Sequence, residues 1–376
     1  MRPTVVFVTR RYPPSVGGME TLAHAVYRAL DEHADTTLVA LGRSQRNLPW
    51  FLPYAAVRAR RAARSGHVDR LVFGDALAYT AVRPTLPRSA PPCTVMVHGL
   101  DLTFASRPYR AMVRAALPKA DRVVANSHST AQIAQQMGVD PAHCVVLNPG
   151  LEIPAERNET RDEAASMLRK RHGLPAEARV LAALGRLVRR KGVLWFVSEV
   201  MPGLPETTVL LVAGAGPQEA AVREAVTTRG LDARVRLLGS VDDDDRQMLF
   251  AGCDVFVMPN VPVPGDTEGF GLVAIEASNT GALVVASRVD GIVDAVVDGT
   301  TGYLCDPLDA AGWGARVAGL LADPEAARAS AVSFTAESRK RSSFERMARE
   351  VPAAFGFDEP ENPTGSGAAA QDEESS

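Results

Sequence analysis

Two glutamates eight residues apart, Glu268 and Glu276, stand in the segment TEGFGLVAIEAS. The GFG triplet leads into an apolar helical run, so Glu268 falls in the loop before that helix and Glu276 on its second turn. The amides of Gly269 to Leu272 would then point outward at the helix start, where they can hold an anion. A carboxylate beside such a site can bind sugar hydroxyls, and one a turn or two further in can take a ribose diol. Burying two acids with no polar ligand would be costly, which argues for a binding role. A second segment, GRLVRRKG, places Arg186 and Lys191 five residues apart after a strand, where both cations can converge on one diphosphate. Arg189 and Arg190 between them read as solvated charges.

Three further places carry weaker signals. Gly17 and Gly18 in RRYPPSVGGME lie between a strand and a helix. They suit either a tight turn or the close approach of a phosphate to backbone amides. His98 in HGLDLTF directly follows a Val-rich strand, with Asp101 three residues on, and a histidine there is well placed to meet a ligand. The run Asp242–Asp245 suggests a divalent-metal site. Its position between a strand and a helix favours the other reading, in which the acids cap the helix and complement its dipole. GAGP at 214–217 is neither a Walker loop nor G-x-G-x-x-G and reads as turn chemistry.

Chemistry of this kind needs a scaffold that brings distant loops together. Short Val-rich runs alternate along the chain with longer periodic segments. Strands are expected at 4–8, 36–41, 70–73, 93–97, 122–125 and 144–147, and in a second series at 178–184, 207–213, 234–239, 254–259, 283–287 and 302–305. Fully apolar strands separated by helices imply parallel sheets covered on both faces. Two such series give an α/β protein of two doubly wound domains, with ligands beyond the carboxyl ends of the strands. Leu22, Val26 and Leu30 share one face of the first helix. Ser129 is the expected N-cap of the helix that ends at Gly138. The irregular segment 148–159 is the expected seam, and 345–355 a last helix.

The 376 residues and ordinary apolar content suit two globular domains. A net charge of −3 argues against a general nucleic-acid binder. Charge is unevenly spread: residues 1–149 carry 18 Lys and Arg against 9 Asp and Glu, and the remainder is acidic. Cys93, Cys144, Cys253 and Cys305 lie far apart in apolar surroundings, which suits buried thiols in a reducing cytosol and no metal site. A short first apolar run ended by Pro13-Pro14 does not read as a signal peptide, and no stretch is long enough to span a membrane. Only four lysines occur, so Lys191 stands out in an arginine-biased chain.

Taken in order, the Gly-Gly loop, HGLD, ADRVVANSHST, GRLVRRKG, GAGP, EGFGLVAIEA and DGIVDAVVDGTTGYL resemble the retaining glycosyltransferases of family 4, which have the GT-B fold. The resemblance runs over roughly residues 4–345. It implies two Rossmann-like domains with a cleft between them. An N-terminal acceptor-side domain of residues 1–149 would be completed by a C-terminal helix at about 344–356. A donor-binding domain of 150–343 would follow. Beyond the resemblance, the Pro-, Gly-, Ser- and acid-rich composition of the last residues reads as a disordered acidic tail at 357–376.

The implied activity is transfer of a sugar from a UDP- or GDP-linked donor to an acceptor hydroxyl with retention, needing no metal or cofactor. Gly17 and Gly18 would face the donor diphosphate, and Arg186 and Lys191 would neutralise it. Glu268 would contact donor-sugar hydroxyls, with Phe270, Gly271 and Leu272 giving backbone contacts. Glu276 would bind the ribose, His98 would line the cleft near the sugar, and the backbone near Val241 would meet the base. The alternatives are a non-catalytic sugar-nucleotide binder or a sugar-nucleotide epimerase on the same fold. The acceptor could be a glycan, a lipid or a small aglycone, and no nucleic acid is expected. The expected location is cytoplasmic. The basic clusters Arg58, Arg60, Arg61, Arg64, Arg70 and Arg107, Arg110, Arg114, Lys119, Arg122 suit either a solvated face or peripheral contact with an anionic inner membrane surface.

Overall fold

The computed structural model describes residues 2–15, 17–42, 44–153 and 159–357. Nearly all of the expected acidic tail lies outside the described residues, as does 154–158 of the expected seam. Among the described residues twelve strands form in two six-stranded, wholly parallel sheets. The first contains β1 (Thr4–Thr9), β2 (Asp35–Ala40), β3 (Arg70–Phe73), β4 (Cys93–Val97), β5 (Arg122–Ala125) and β6 (Cys144–Val146), in the order β2-β1-β3-β4-β5-β6. The second contains β7 (Arg179–Leu184), β8 (Thr208–Ala213), β9 (Val235–Gly239), β10 (Val255–Met258), β11 (Val284–Ser287) and β12 (Tyr303–Cys305), in the order β12-β11-β10-β7-β8-β9.

Side chains alternate across a strand, so a strand covered on both faces must be apolar at every position. In β1, Val5 and Phe7 enter one core and Val6 and Val8 the other. In β7, Val180 and Ala182 part from Leu181 and Ala183 in the same way. One face of the first sheet is covered by the helices Gly18–His33 and Phe344–Phe355, through Leu22, Val26 and Leu30 with Met347, Val351 and Phe355. The chain therefore returns to its first sheet after finishing the second. It does so at a seam where Leu151 N–H donates to Ser342 O at 2.8 Å and Phe344 N–H to Leu151 O at 2.8 Å. A side chain at Gly150 would run into the Ser343 carbonyl.

Strand order reverses at β1 in the first sheet and at β7 in the second, and loops that leave on opposite sides of a sheet at such a point open a crevice. The loops after β1, β7 and β10 therefore start the binding cleft. One local expectation is corrected. The helix His128–Gln136 is capped by Ser127, whose side chain accepts from Thr130 N–H, and not by Ser129. Ser127 has the extended backbone a cap needs, whereas Ser129 already lies inside the helix.

Candidate active site in the interdomain cleft

Glu268 lies in the glycine-rich loop after β10, and Arg190 and Lys191 lie in the loop after β7. Because β7 and β10 are neighbours, these loops meet. Lys191 Nζ stands 2.7 Å from Glu268 Oε2, Arg190 Nε 3.4 Å from the same oxygen, and Asn260 Nδ2 donates to it at 3.0 Å. Burial pushes the Glu268 carboxyl up. The pull of Lys191 and Arg190, with hydrogen bonds from Lys191 and Asn260, outweighs it and holds the group below the ordinary carboxylate range.

Arg190 is a correction. Its side chain is only 11% exposed and pairs with Asp266 at 3.2 Å as well as with Glu268, so it is a strut beneath the site and not a solvated charge. Arg186 is exposed, and its side chain forms no ion pair or hydrogen bond among the described residues. Of the two expected cations, Lys191 is tied to the acid and Arg186 is free.

The helix Leu272–Asn279 starts at Gly271, whose φ of +96° is left-handed backbone that glycine adopts freely. Phe270 is buried beneath it and Leu272 reaches across the cleft, where a Cβ on Gly18 would lie 3.1 Å from Leu272 Cδ1. The starts of the helices Gly18–His33 and Leu272–Asn279 thus face each other, and both present amide donors to the gap. Glu20, buried and paired with Arg11 at 3.0 Å, folds its carboxylate back against Gly17, where a Cβ would come within 2.5 Å of Oε2. The Gly-Gly loop therefore already carries an acid and a counter-cation, which the sequence pattern alone did not reveal.

His98 is buried at the end of β4 and donates from Nε2 to Gly74 O at 3.0 Å. The next residue, Gly99, approaches the acid loop so closely that a Cβ there would lie 3.0 Å from Gly269 Cα. Beneath it, Arg10 ties together the segments that follow β1, β3 and β4, with Nε 2.9 Å from Asp75 Oδ1 and Nη2 3.0 Å from Asp101 Oδ1. Asp101 is buried, which pushes its carboxyl up against the opposing pull of His98 and Arg10.

Glu276 pairs with Arg246 at 3.0 Å, a partner with no motif to mark it. Burial pushes the Glu276 carboxyl up, and Arg246 only partly offsets this. Arg246 belongs to the helix Asp243–Gly252, which Asp242 caps by accepting from Asp245 N–H at 2.8 Å. Asp243 pairs with Arg246 and Asp245 with Arg171, so the acidic run is used by the helix and its neighbours. Among the described residues no group of three His, Cys, Asp or Glu side chains is placed to hold a metal ion. Val241 sits just after β9 with its side chain against the core. Across the seam, Asp294 accepts from His128 N–H at 2.9 Å and lies 2.5 Å from His128 Nδ1, so a carboxylate of one domain caps a helix of the other.

Two family models match this chain in tandem: Glycosyltransferase Family 4 over residues 16–153 and Glycosyl transferases group 1 over residues 178–323. The chain belongs to glycosyltransferase family 4. It is similar to the GDP-mannose-dependent alpha-(1-6)-phosphatidylinositol monomannoside mannosyltransferase of Mycolicibacterium smegmatis, at 28% identity over 88% of this chain and 92% of that one. It is also similar to the D-inositol 3-phosphate glycosyltransferase of Corynebacterium efficiens, at 32% identity over 52% of this chain. The match spans about half the length of that relative and of its counterpart from Salinispora arenicola, 46% and 48%. The structure of Anabaena HepE in complex with UDP and glucose superposes with a TM-score of 0.76 over 94% of this chain and 100% of that one, at 18% identity. Sucrose-phosphate synthase from Thermosynechococcus elongatus follows at 0.73 and 21%, over 94% and 98%. The fold is GT-B, two Rossmann-like domains on parallel sheets.

Proposed function

We propose that this family 4 chain transfers a glycosyl unit from a UDP- or GDP-linked sugar to an acceptor hydroxyl, with retention of anomeric configuration and without a metal ion. The observation that carries this reading is the Glu268 carboxyl group held by Lys191, Arg190 and Asn260 beside two facing helix starts. As the sugar–phosphate bond breaks, positive charge grows on the anomeric carbon and negative charge on the diphosphate. Rate acceleration then needs fixed cations and amides where that negative charge appears. Arg186, the two ammonium donors of Lys191 not turned to Glu268, and the amides at Gly17, Gly18 and Phe270–Leu272 supply them. Glu268 takes sugar hydroxyls, Glu276 the ribose, and the backbone at Val241 the base, while His98 lines the sugar side. The acceptor oxygen attacks from the face the diphosphate leaves, and its proton goes to the departing phosphate oxygen. The cleft must close around the donor to keep water from replacing the acceptor.

The donor panel begins with GDP-mannose, which the mycobacterial relative's name specifies, and extends to UDP-sugars. Acceptors begin with phosphoinositides and inositol phosphates, by analogy with the relatives' names. Release of nucleoside diphosphate is measured with and without acceptor and with chelator, and the anomer is read by proton coupling. Acceptor-dependent release that survives EDTA, with a retained anomer, is the expected result. Binding of a nucleotide sugar with no turnover on any acceptor would favour the non-catalytic alternative.

The N-terminal domain also suits peripheral contact with the anionic inner face of a membrane. Trp50, Tyr54 and Val57 fall on one side of the helix Leu48–Arg64 and are 82%, 53% and 49% exposed. Arg58, Arg60, Arg61 and Arg64 are exposed on the same helix. An exposed apolar stripe beside arginines is the pattern of an interfacial helix. Among the described residues no helix is long and apolar enough to cross a membrane.

A further inference from the structure

Glu268 sits in a loop with glycines at 265, 269 and 271, which should leave its backbone free to move. It is instead clasped on both sides by one dipeptide after β11. Glu268 N–H donates to Asp290 Oδ2 at 3.0 Å, and Gly291 N–H donates to Glu268 O at 3.1 Å. The fit is close, because a side chain at Gly291 would run into the Gly269 carbonyl. Asp290 itself has a φ of +50°, left-handed backbone that glycine adopts freely and that, among other residues, aspartate and asparagine adopt most readily. What aspartate adds at this position is an acceptor aimed at the Glu268 amide. Held strain beside a reactive group is a signal of function. The groups facing Asp290 are Glu268, Arg190 and Asp266, and Arg190 is also one of the cations that hold the Glu268 side chain.

We propose that Asp290 is a positioning residue for Glu268: it holds the backbone of the acid loop so that the carboxylate, fixed at its other end by Lys191 and Asn260, meets the donor sugar. This rests on the glycosyl-transfer reading above. Losing one acceptor and leaving the amide unpaired is an effect of roughly tenfold.

The test compares Asp290→Ala, Asp290→Asn and Asp290→Gly in the full chain, with folding checked by thermal melting. Two readouts are taken: steady-state transfer, and hydrogen exchange of the amides of residues 266–271. In Asp290→Ala kcat should fall about tenfold while donor KM moves less than about threefold, and exchange of the loop should quicken by a similar factor. Asp290→Asn keeps a carbonyl acceptor and should restore both. Asp290→Gly removes the backbone strain but not the defect, and should match Asp290→Ala. A glycine variant that works like wild type, or an asparagine variant as poor as alanine in both readouts, overturns the proposal. If the unmodified chain turns over no nucleotide sugar, the transfer reading fails. Exchange then decides the clasp alone: unchanged protection in Asp290→Ala overturns it.

Discussion

Lys191 Nζ lies 2.7 Å from Glu268 Oε2, so the cation expected to meet a diphosphate and the acid expected to meet the sugar form one ion pair. An ammonium has three donors and spends one on the acid, which leaves two directed elsewhere. In the proposed transfer the pair would link the two halves of the donor, with a cation at the phosphate end and a carboxylate at the sugar end fixed relative to each other. Arg190 completes the arrangement from beneath by bridging Glu268 and Asp266.

The three arginines and the lysine of GRLVRRKG should therefore separate by mutation. On the proposed reading, Arg186→Ala and Lys191→Ala should each cost a charge-assisted bond to the diphosphate, about 1.5–3 kcal/mol, or roughly 10- to 150-fold in kcat/KM. Part of the loss should fall on kcat, because charge grows on the leaving group. Lys191→Arg should rescue incompletely, since a planar fork does not replace a compact ammonium between two anions. Arg190→Ala should damage both transfer and stability, because it strips a buried partner from Asp266 and Glu268. Arg189, exposed beside them, is the control that should stay near wild type. Steady-state kinetics and melting curves on the set decide it. Wild-type behaviour of Arg190→Ala would mean the strut carries nothing.

Glu268 also sets a stability prediction with a definite sign. Its folded pKa is lowered below the ordinary 4.5, so folding favours the ionised form. The stabilisation is complete above 4.5 and is lost as pH falls through the folded value. Glu268→Gln leaves Lys191 and Arg190 without their shared partner. The Tm gap between wild type and this variant should be constant near neutrality and close on acidification below 4.5. A gap that stays open at the lowest pH at which both fold would contradict the ion-pair account.

Much of this arrangement was legible in the residue pattern, and the reason is topological. Val-rich runs mark strands buried on both faces, and residues just after the central strands meet whatever their distance in sequence. That is how Lys191 and Glu268 could be named before their contact was seen. Arg190 was misread because its burial depends on Asp266, which lies 76 positions away and has no motif of its own. The Arg10–Asp75–Asp101 bridge escaped for the same reason, with partners 65 and 91 positions from Arg10. Asp290 and Asn260 were missed differently. Single polar residues after a strand look like turn formers until the backbone amide or carboxylate they face is known.

Glu276 should give the donor site its own acid limb. Burial raises its carboxyl above the ordinary value, against the partial pull of Arg246. A ribose diol donates hydrogen bonds, so the ionised acid is the better acceptor. Nucleoside diphosphate affinity should weaken as pH falls toward this raised value, while Glu268 remains ionised. Calorimetric titrations across the acid range would show the limb in wild type and its loss in Glu276→Gln, whose affinity should be low and flat. An identical acid limb in the variant would assign the titration to another group.

The last prediction concerns the outer face of the N-terminal domain. Trp50, Tyr54 and Val57 expose an apolar edge that no element of the chain covers among the described residues, and exposed arginines lie on the same helix. Each basic residue near an anionic surface adds about 1 kcal/mol, and the aromatic side chains add burial at the headgroup level. Sedimentation with phosphatidylglycerol-containing vesicles at low salt should recover the protein, and neutral phosphatidylcholine vesicles should not. Added salt should weaken recovery, because the Debye length shortens to about 8 Å at 0.15 M. Trp50→Ala with Tyr54→Ala should lower recovery even at low salt, whereas Arg58→Glu with Arg61→Glu should abolish it. None of these four side chains has a hydrogen-bond or ion-pair partner among the described residues of the site, so transfer to a soluble acceptor should be unchanged. Equal recovery with both vesicle types would show that the arginines only solvate this face.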